Sequence, residues 1–86
     1  MQAIIYGKNG CVECEKAKML CQMKGISFSH KVLGVDLVLE DLLHKVPMNA
    51  PRSLPQIFFK EEDGTETYIG GYNALRTRSY QSQSVH

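Results

Sequence analysis

Residues 11–14 form a Cys-Val-Glu-Cys motif that lies between a short apolar segment and a stretch rich in helix-forming residues. Residues three apart share one face of a helix, so Cys11 and Cys14 are within reach of each other. Cys11 also lies at the expected helix N-terminus, where unpaired N–H groups and the helix dipole favour a thiolate. An exposed thiolate beside a second thiol is the minimum that thiol–disulfide exchange requires. The motif therefore predicts a strand, a turn and a helix that together carry a redox site.

Length and composition restrict the classes of protein that fit. The 86 residues make one small domain, which we expect to cover 1–80, with a polar C-terminal tail at 81–86. The net charge of +1 gives no indication of a nucleic-acid surface, and no apolar run approaches the roughly 20 residues of a membrane span. The N-terminus lacks the layout of a signal peptide. Three cysteines leave one unpaired, so we expect a reducing compartment, the cytoplasm.

Apolar periodicity and turn residues predict seven elements. Strands are expected at 2–6, 26–32, 55–59 and 66–69, and helices at 12–24, 37–46 and 72–79. A helix between the first two strands implies a parallel, right-handed crossover, and the tight turn at Asp63 and Gly64 implies an antiparallel pair. The order β-α-β-α-β-β-α predicts a thioredoxin-like α/β fold, with a four-stranded mixed sheet and helices on both faces.

A structural metal site is the main alternative for the cysteines. Seven residues of helix rise about 10 Å, which is too far for Cys14 and Cys21 to share one zinc ion or to form a disulfide. The histidines share no ligand spacing with the cysteines; they are His30, His44 and His86. We therefore expect no metal site, and we expect Cys21 to be buried as a small hydrophobic residue.

Position assigns different roles to the two cysteines of the motif. Cys11 is at the helix entrance and is the expected nucleophile, whereas Cys14 is one turn inside and is the expected resolving thiol. Lys8, in the preceding turn, is either a solvated loop residue or a cation beside the thiolate or an anionic ligand. Glu13 is either a solvated first-turn residue or a charge that opposes the thiolate and anionic partners.

Two further segments have both a structural and a functional interpretation. Leu54–Pro55 opens the third strand. The proline either only marks the start of the strand or forms a cis peptide that exposes the Leu54 backbone to an extended peptide. Gly70 and Gly71 precede the last helix, whose N-terminus attracts a carboxylate. Asn73 either caps that helix or donates an amide hydrogen bond to the carboxylate. The residues alone leave these alternatives open.

Three separated motifs together resemble the glutaredoxin family, most closely its small bacterial and phage-type members. They are Ile-Tyr-Gly-Lys-x-x-Cys-x-x-Cys at 5–14, Ser-Leu-Pro-Gln-Ile-Phe at 53–58 and Ile-Gly-Gly at 69–71. The resemblance implies a disulfide oxidoreductase that reduces protein disulfides or glutathionylated thiols, with ribonucleotide reductase as one acceptor. Glutathione would be the reductant, with no permanently bound cofactor. We expect a monomer.

The same resemblance implies the residues of a glutathione site. Pro55 would be cis and would lie beside the disulfide, and Lys8 would bind the glycine carboxylate of the tripeptide. Leu54 would pair its backbone with the cysteine of glutathione. Tyr72 and Asn73 would bind the γ-glutamyl carboxylate.

The sequence departs from the family at several of these positions. Most glutaredoxins have Cys-Pro-Tyr-Cys or Cys-Pro-Phe-Cys, and Val12 and Glu13 replace both middle residues. Asn73 stands where the family often has Asp, and Arg52 is a candidate for a compensating cation. The alternatives are a redoxin that takes electrons from thioredoxin reductase, and a dimer that carries a glutathione-ligated [2Fe–2S] cluster through Cys11. The presence of Cys14 argues against the cluster carrier.

Overall fold

The computed structural model describes residues 2–84 of the chain, and the side chains up to residue 78. Seven elements follow in chain order: β1 (Gln2–Gly7), α1 (Val12–Lys24), β2 (Phe28–Val32), α2 (Leu39–Lys45), β3 (Gln56–Lys60), β4 (Glu66–Gly70) and α3 (Tyr72–Ser84). Their types and their order are those predicted from the sequence. Within the described residues no helix has both the length and the apolar character needed to cross a bilayer.

The four strands form one mixed sheet in the order β2-β1-β3-β4. β1 pairs with β2 in parallel, with Ile5 opposite His30, and the helix α1 makes the crossover. β1 pairs with β3 antiparallel, and β3 pairs with β4 antiparallel through the hairpin turn at 61–65. The predicted thioredoxin-like arrangement is confirmed.

Alternation along β1 divides the core between the two faces of the sheet. Ala3 and Ile5 belong to the layer beneath α1 and α3, together with Ala17, Leu20, Cys21, Ile57, Phe59 and Leu75. Ile4 and Tyr6 point to the opposite face, where they pack with Leu42 of α2 and Phe58 of β3. Each large side chain so buried contributes about 1.5–3 kcal/mol to stability. The sheet with α1 thus forms a rigid base for the turn that carries Cys11.

Three element boundaries differ from the prediction by more than one residue. The strand β2 begins at Phe28 and not at residue 26, because the Ile26 N–H donates to the Cys21 carbonyl at 2.8 Å in the C-terminal cap of α1. The helix α2 begins at Leu39 and not at residue 37, because the Leu37 carbonyl accepts from Gly34 in the preceding turn. Each of the two segments is shortened by a local turn.

The third difference is the length of the last helix. α3 continues to Ser84, so residues 81–84 of the expected tail are helical. The stretch after Gly71 contains neither Gly nor Pro, and so no residue type in it ends the helix. Val85 and His86 lie outside the described residues, and the domain boundary at residue 80 stays a prediction.

Candidate active site

The turn between β1 and α1 places Cys11 at the entrance of the helix. Cys11 is the N-cap residue, and its Sγ accepts a hydrogen bond from the Cys14 N–H at 3.3 Å. The Cys14 thiol in turn is directed at the Cys11 Sγ, and the two sulfur atoms lie 2.6 Å apart. Cys11 is partly exposed, whereas Cys14 is completely buried. The structure therefore brings the two thiols together and leaves only the first one open to a partner.

The burial of Cys14 changes its acid–base chemistry. Burial, aided by the hydrogen bond to Cys11, raises the pKa of the Cys14 thiol to about 11. The backbone N–H of Lys8 and the charge of Lys18 act in the opposite direction and lower this pKa. At neutral pH Cys14 is therefore a protonated thiol, which must lose its proton before it can attack a disulfide.

Gly7, the last residue of β1, provides the space that the Cys14 side chain occupies. A Cβ atom at this position would collide with Sγ of Cys14 and would lie 3.2 Å from Nε2 of His30. The backbone of Gly7 is not in the left-handed region, so the absence of a side chain, and not an unusual φ angle, explains the glycine. The close approach of the thiol to the sheet depends on it.

Cys21 lies two turns further along α1 than Cys14 and belongs to the core between the sheet and the helices α1 and α3. Its side chain is completely buried, and burial raises the pKa of its thiol to about 11. The prediction of a buried, hydrophobic cysteine is confirmed. Among residues 2–84 no cluster of three or more His, Cys, Asp or Glu side chains is arranged to hold a metal ion.

A cleft of about 600 Å³ runs beside the motif, between the loop before β3 and the start of α3. Four residues of the expected glutathione site line it together: Leu54, Pro55, Tyr72 and Asn73. The Leu54–Pro55 peptide bond is cis, as the resemblance implied. Glu13 contributes the wall on the side of the motif. The structure thus collects these residues, which are distant in sequence, around one space.

Lys8 lies on a second cleft and not on the first. This second cleft, of about 310 Å³, is formed by α2 and by the loop before β3, and Arg52 also lines it. Leu54 lines both clefts, as do other residues of the loop before β3. The expected site residues are therefore arranged in two adjoining halves, with a cationic half at Lys8 and Arg52.

Solved structures with the same fold were found over nearly the whole chain. Reduced Escherichia coli glutaredoxin has a TM-score of 0.75 and 25% identity, covering 98% of this chain and 99% of that one. The chain has the glutaredoxin fold. Francisella tularensis glutaredoxin 1, in complex with cacodylate, has a TM-score of 0.71, 24% identity and 96% coverage of both chains. The buckwheat glutaredoxin–glutathione complex has a TM-score of 0.70 and 21% identity, covering 96% of this chain and 72% of that one.

These neighbours confirm the resemblance to glutaredoxins that the three motifs indicated. Neither a family model nor a curated protein sequence matches the chain. The similarity is therefore one of fold and of three short motifs, and the rest of the sequence is divergent.

Glu13 is a departure that places a carboxylate on the wall of the larger cleft. Its carboxylate forms an ion pair with Lys16 at 3.3 Å, and the Lys16 ammonium lies 5.9 Å from the ring centroid of Tyr72. Both members of the ion pair are about half exposed, so solvent screens the interaction. The Glu13 carboxylate therefore lies on the wall of the larger cleft with its charge only partly offset by Lys16.

Sequence reasoning assigned no role in this site to three residues that shape it. Gly7 supports Cys14, His30 approaches the same position from β2, and the buried Gln56 holds the loop before β3. Two of them carried a detectable signal. His30 occupies a position in the strand where the alternation calls for an apolar residue. Gln56 lies within a run of buried residues. A polar residue at such a position usually has a hydrogen-bond partner.

Proposed function

We propose that this protein is a glutathione-dependent thiol–disulfide oxidoreductase whose redox pair is Cys11 and Cys14. The observation that carries the proposal is a partly exposed sulfur at a helix N-terminus, 2.6 Å from a buried thiol and beside a cleft of about 600 Å³. A cleft of this volume accommodates a small peptide. The fold shared with the buckwheat glutaredoxin–glutathione complex supports glutathione as that peptide.

The reaction follows from the exposure of the two thiols. The Cys11 thiolate attacks a disulfide, forms a bond to one of its sulfurs and releases the other as a thiolate, which takes up a proton. Cys14 then attacks Cys11 in the mixed disulfide and releases the second product thiol. Two glutathione molecules reduce the resulting Cys11–Cys14 disulfide in two exchange steps and become glutathione disulfide.

The two clefts assign regions of the tripeptide to residues of the chain. The larger cleft would hold the γ-glutamyl end against Tyr72 and Asn73, at the N-terminus of α3, where unpaired N–H groups bind a carboxylate. The backbone of Leu54 would pair with the cysteine of glutathione. Lys8 would bind the glycine carboxylate from the adjoining cleft, with Arg52 as a second cation.

The acceptors are proposed from the resemblance to small glutaredoxins. We expect protein disulfides and glutathionylated thiols as substrates, with ribonucleotide reductase among them. We also propose a monomer in the cytoplasm, where a reducing environment keeps three cysteines as thiols. No resident cofactor is needed for the proposed reaction.

The test is the reduction of a glutathionylated peptide, with glutathione and glutathione reductase as the source of electrons. We expect turnover by the wild type, none by Cys11→Ser, and retained turnover by Cys14→Ser, because removal of glutathione from a peptide needs only the first thiol. Cys21→Ser is the matched control, and its turnover should equal that of the wild type.

The other outcomes separate the alternatives. Turnover with thioredoxin reductase but not with glutathione would replace the proposal by a thioredoxin-reductase-dependent redoxin. An absence of turnover with both reductants, with a coloured protein that contains iron and sulfide, would favour the [2Fe–2S] carrier. A wild-type rate in Cys11→Ser would refute Cys11 as the nucleophile.

A further inference from the structure

A polar atom without a partner lies close to the buried thiol. His30, in the centre of β2, points to the face of the sheet that α1 covers. Within the described residues, its Nε2 is the buried side-chain nitrogen or oxygen atom that has no hydrogen-bond partner. Buried polar atoms in folded proteins are nearly always paired, so such an atom points to a function or to a partner in another state.

Gly7 is the position at which His30 and Cys14 meet. A Cβ atom built on Gly7 would collide with Cys14 Sγ and would lie 3.2 Å from Nε2 of His30. The thiol and the imidazole therefore both lie against the side-chain position of Gly7, on the same face of the sheet. They come from α1 and β2, and the absence of a side chain on Gly7 leaves room for both of them.

The resolving step creates a need for a proton acceptor at this place. In the reduced protein the Cys14 thiol is directed at the Cys11 sulfur. When Cys11 enters a mixed disulfide, its sulfur carries no negative charge and becomes a poor acceptor. Cys14 must then lose its proton while it is completely enclosed by protein, and a hydroxide ion has no direct access to it.

From this arrangement we propose that Nε2 of His30 accepts the proton of Cys14 when Cys14 attacks the mixed disulfide. The proposal rests on the proposed function and extends it to the second half of the reaction. Cys14–SH transfers its proton to neutral His30, and its sulfur forms a bond to Cys11 Sγ. The bond from Cys11 to the substrate sulfur breaks, and the substrate leaves with the electron pair as a thiolate. That thiolate takes the proton of His30, directly or through solvent, so the two cysteines are oxidised and the substrate is reduced.

The surroundings of His30 favour its neutral form, which is the form that can accept a proton. Burial is the largest effect and lowers the pKa of His30, and the ammonium of Lys18 on α1 lowers it further. Glu15, on the same helix, and Asp36, in the turn after β2, act in the opposite direction. Lys18 and Glu15 form an ion pair at 2.9 Å, which reduces the effect of each. His30 is thus neutral at pH 7, as a base must be.

The experiment separates the two thiol steps without glutathione. Reduced protein is mixed rapidly with 5,5′-dithiobis(2-nitrobenzoate), and the release of the coloured thiolate is followed. The first phase reports the attack by Cys11, and the second reports ring closure by Cys14. The second phase should be independent of reagent concentration, and Cys14→Ser should abolish it.

The variant that tests the proposal is His30→Gln, which keeps a polar side chain of similar size but cannot accept a proton. We expect its first phase to change less than about twofold and its second phase to slow about 100-fold at neutral pH, the usual contribution of a general base. His44→Gln, at an exposed position of α2, is the matched control and should leave both phases unchanged.

The pH profile distinguishes a base from a merely structural residue. In the wild type the rate constant of the second phase should rise with pH as His30 loses its proton and then level off. In His30→Gln it should rise about tenfold per pH unit without levelling off until the pH nears the Cys14 pKa of about 11. An unchanged second phase in His30→Gln would overturn the proposal, and so would a slower phase with the wild-type pH profile.

A measurement on the wild type covers the case in which His30→Gln does not fold. The pH at which the rate constant of the second phase has its inflection should coincide with the pKa of His30 obtained by NMR titration. A pH profile without that inflection would overturn the proposal. The outcome is separable from that of the proposed function, because both phases need no glutathione. A protein with both phases but no turnover with glutathione would refute only the reductant.

Discussion

The hydroxyl of Tyr68 on β4 donates a hydrogen bond to Oε1 of Gln56 on β3, at a distance of 2.7 Å. Nε2 of Gln56 donates to the carbonyls of Pro51 and Ser53, at 2.6 and 2.7 Å. Only 4% of Gln56 is exposed, so water cannot replace these partners. One buried amide therefore links the sheet to the loop that carries Leu54 and thus fixes a wall of the candidate glutathione site.

Graded disruption of this network should affect stability and binding differently. Tyr68→Phe removes one of the three hydrogen bonds and should lower the free energy of unfolding by about 1 kcal/mol, with little change in KM for glutathione. Gln56→Leu leaves two carbonyls without their donor and should cost about 2–3 kcal/mol and raise that KM. Urea unfolding and steady-state kinetics check both values. An unchanged KM in Gln56→Leu would show that the loop does not depend on Gln56.

Gly70 and Gly71 should respond differently to alanine. Gly70 has φ of 129°, and a Cβ there would lie 2.9 Å from Cβ of Ala74, so Gly70→Ala should destabilise the protein by about 1–3 kcal/mol. A Cβ on Gly71 would meet only the Pro55 carbonyl oxygen, at an ordinary 3.6 Å. Gly71→Ala should therefore keep its stability within about 0.5 kcal/mol.

The Gly71→Ala variant also tests the position of the ligand. Gly71 and Pro55 both line the larger cleft, so a methyl group between them narrows it. We expect a higher KM for glutathione with an unchanged melting temperature. An unchanged KM would place the tripeptide elsewhere.

Removal of the charge of Glu13 should improve the use of glutathione. The carboxylate lies on the wall of the larger cleft, and glutathione carries a net negative charge. Repulsion between charges in an exposed site amounts to less than about 1 kcal/mol, so Glu13→Gln should lower KM about two- to fivefold. The difference should shrink in high salt. Glu62→Gln, in the hairpin turn between β3 and β4, is the control, and an equal effect there would indicate overall charge and not a local contact.

Alkylation should distinguish the three cysteines. Cys14 and Cys21 both have a pKa of about 11 because they are buried, so at pH 8 about one thiol in a thousand is ionised. Brief treatment of the native protein with iodoacetamide should add one label, at Cys11, and treatment in urea should add three. Mass spectrometry of peptides locates the labels. Rapid labelling of Cys21 in native protein would contradict the packing of α1 on the sheet.

His30 should make the protein less stable in mild acid. Burial, supported by Lys18, lowers its pKa in the folded state below the value of about 6.5 expected in the unfolded chain. The unfolded state therefore binds this proton more readily, and the stabilising contribution is complete above pH 6.5 and is lost as the pH falls through the folded pKa. Urea unfolding at about pH 7.5 and about pH 5 should show that the free energy of unfolding falls less in His30→Gln than in the wild type when the pH is lowered. His44→Gln should retain the wild-type loss.

The sequence by itself determined the elements and the positions of the two cysteines of the motif. A Cys-x-x-Cys motif between an apolar strand and a helix puts Cys11 at the helix entrance and Cys14 one turn inside, and both positions follow from local geometry. The parallel crossover of β1 and β2 and the hairpin of β3 and β4 follow in the same way from connection lengths. Local turn contacts, such as the Ile26 cap, explain where the predicted boundaries were wrong.

Only the tertiary structure decided which distant residues meet. The sheet register sets His30 beside Ile5 of β1, and the packing of α1 brings Cys14 over Gly7 at the end of that strand. The division of the site into two clefts, with Lys8 apart from Tyr72, depends on the course of the loop before β3. These contacts join residues from separate elements, and their geometry is set by core packing rather than by any local pattern, so no periodicity or motif encodes them.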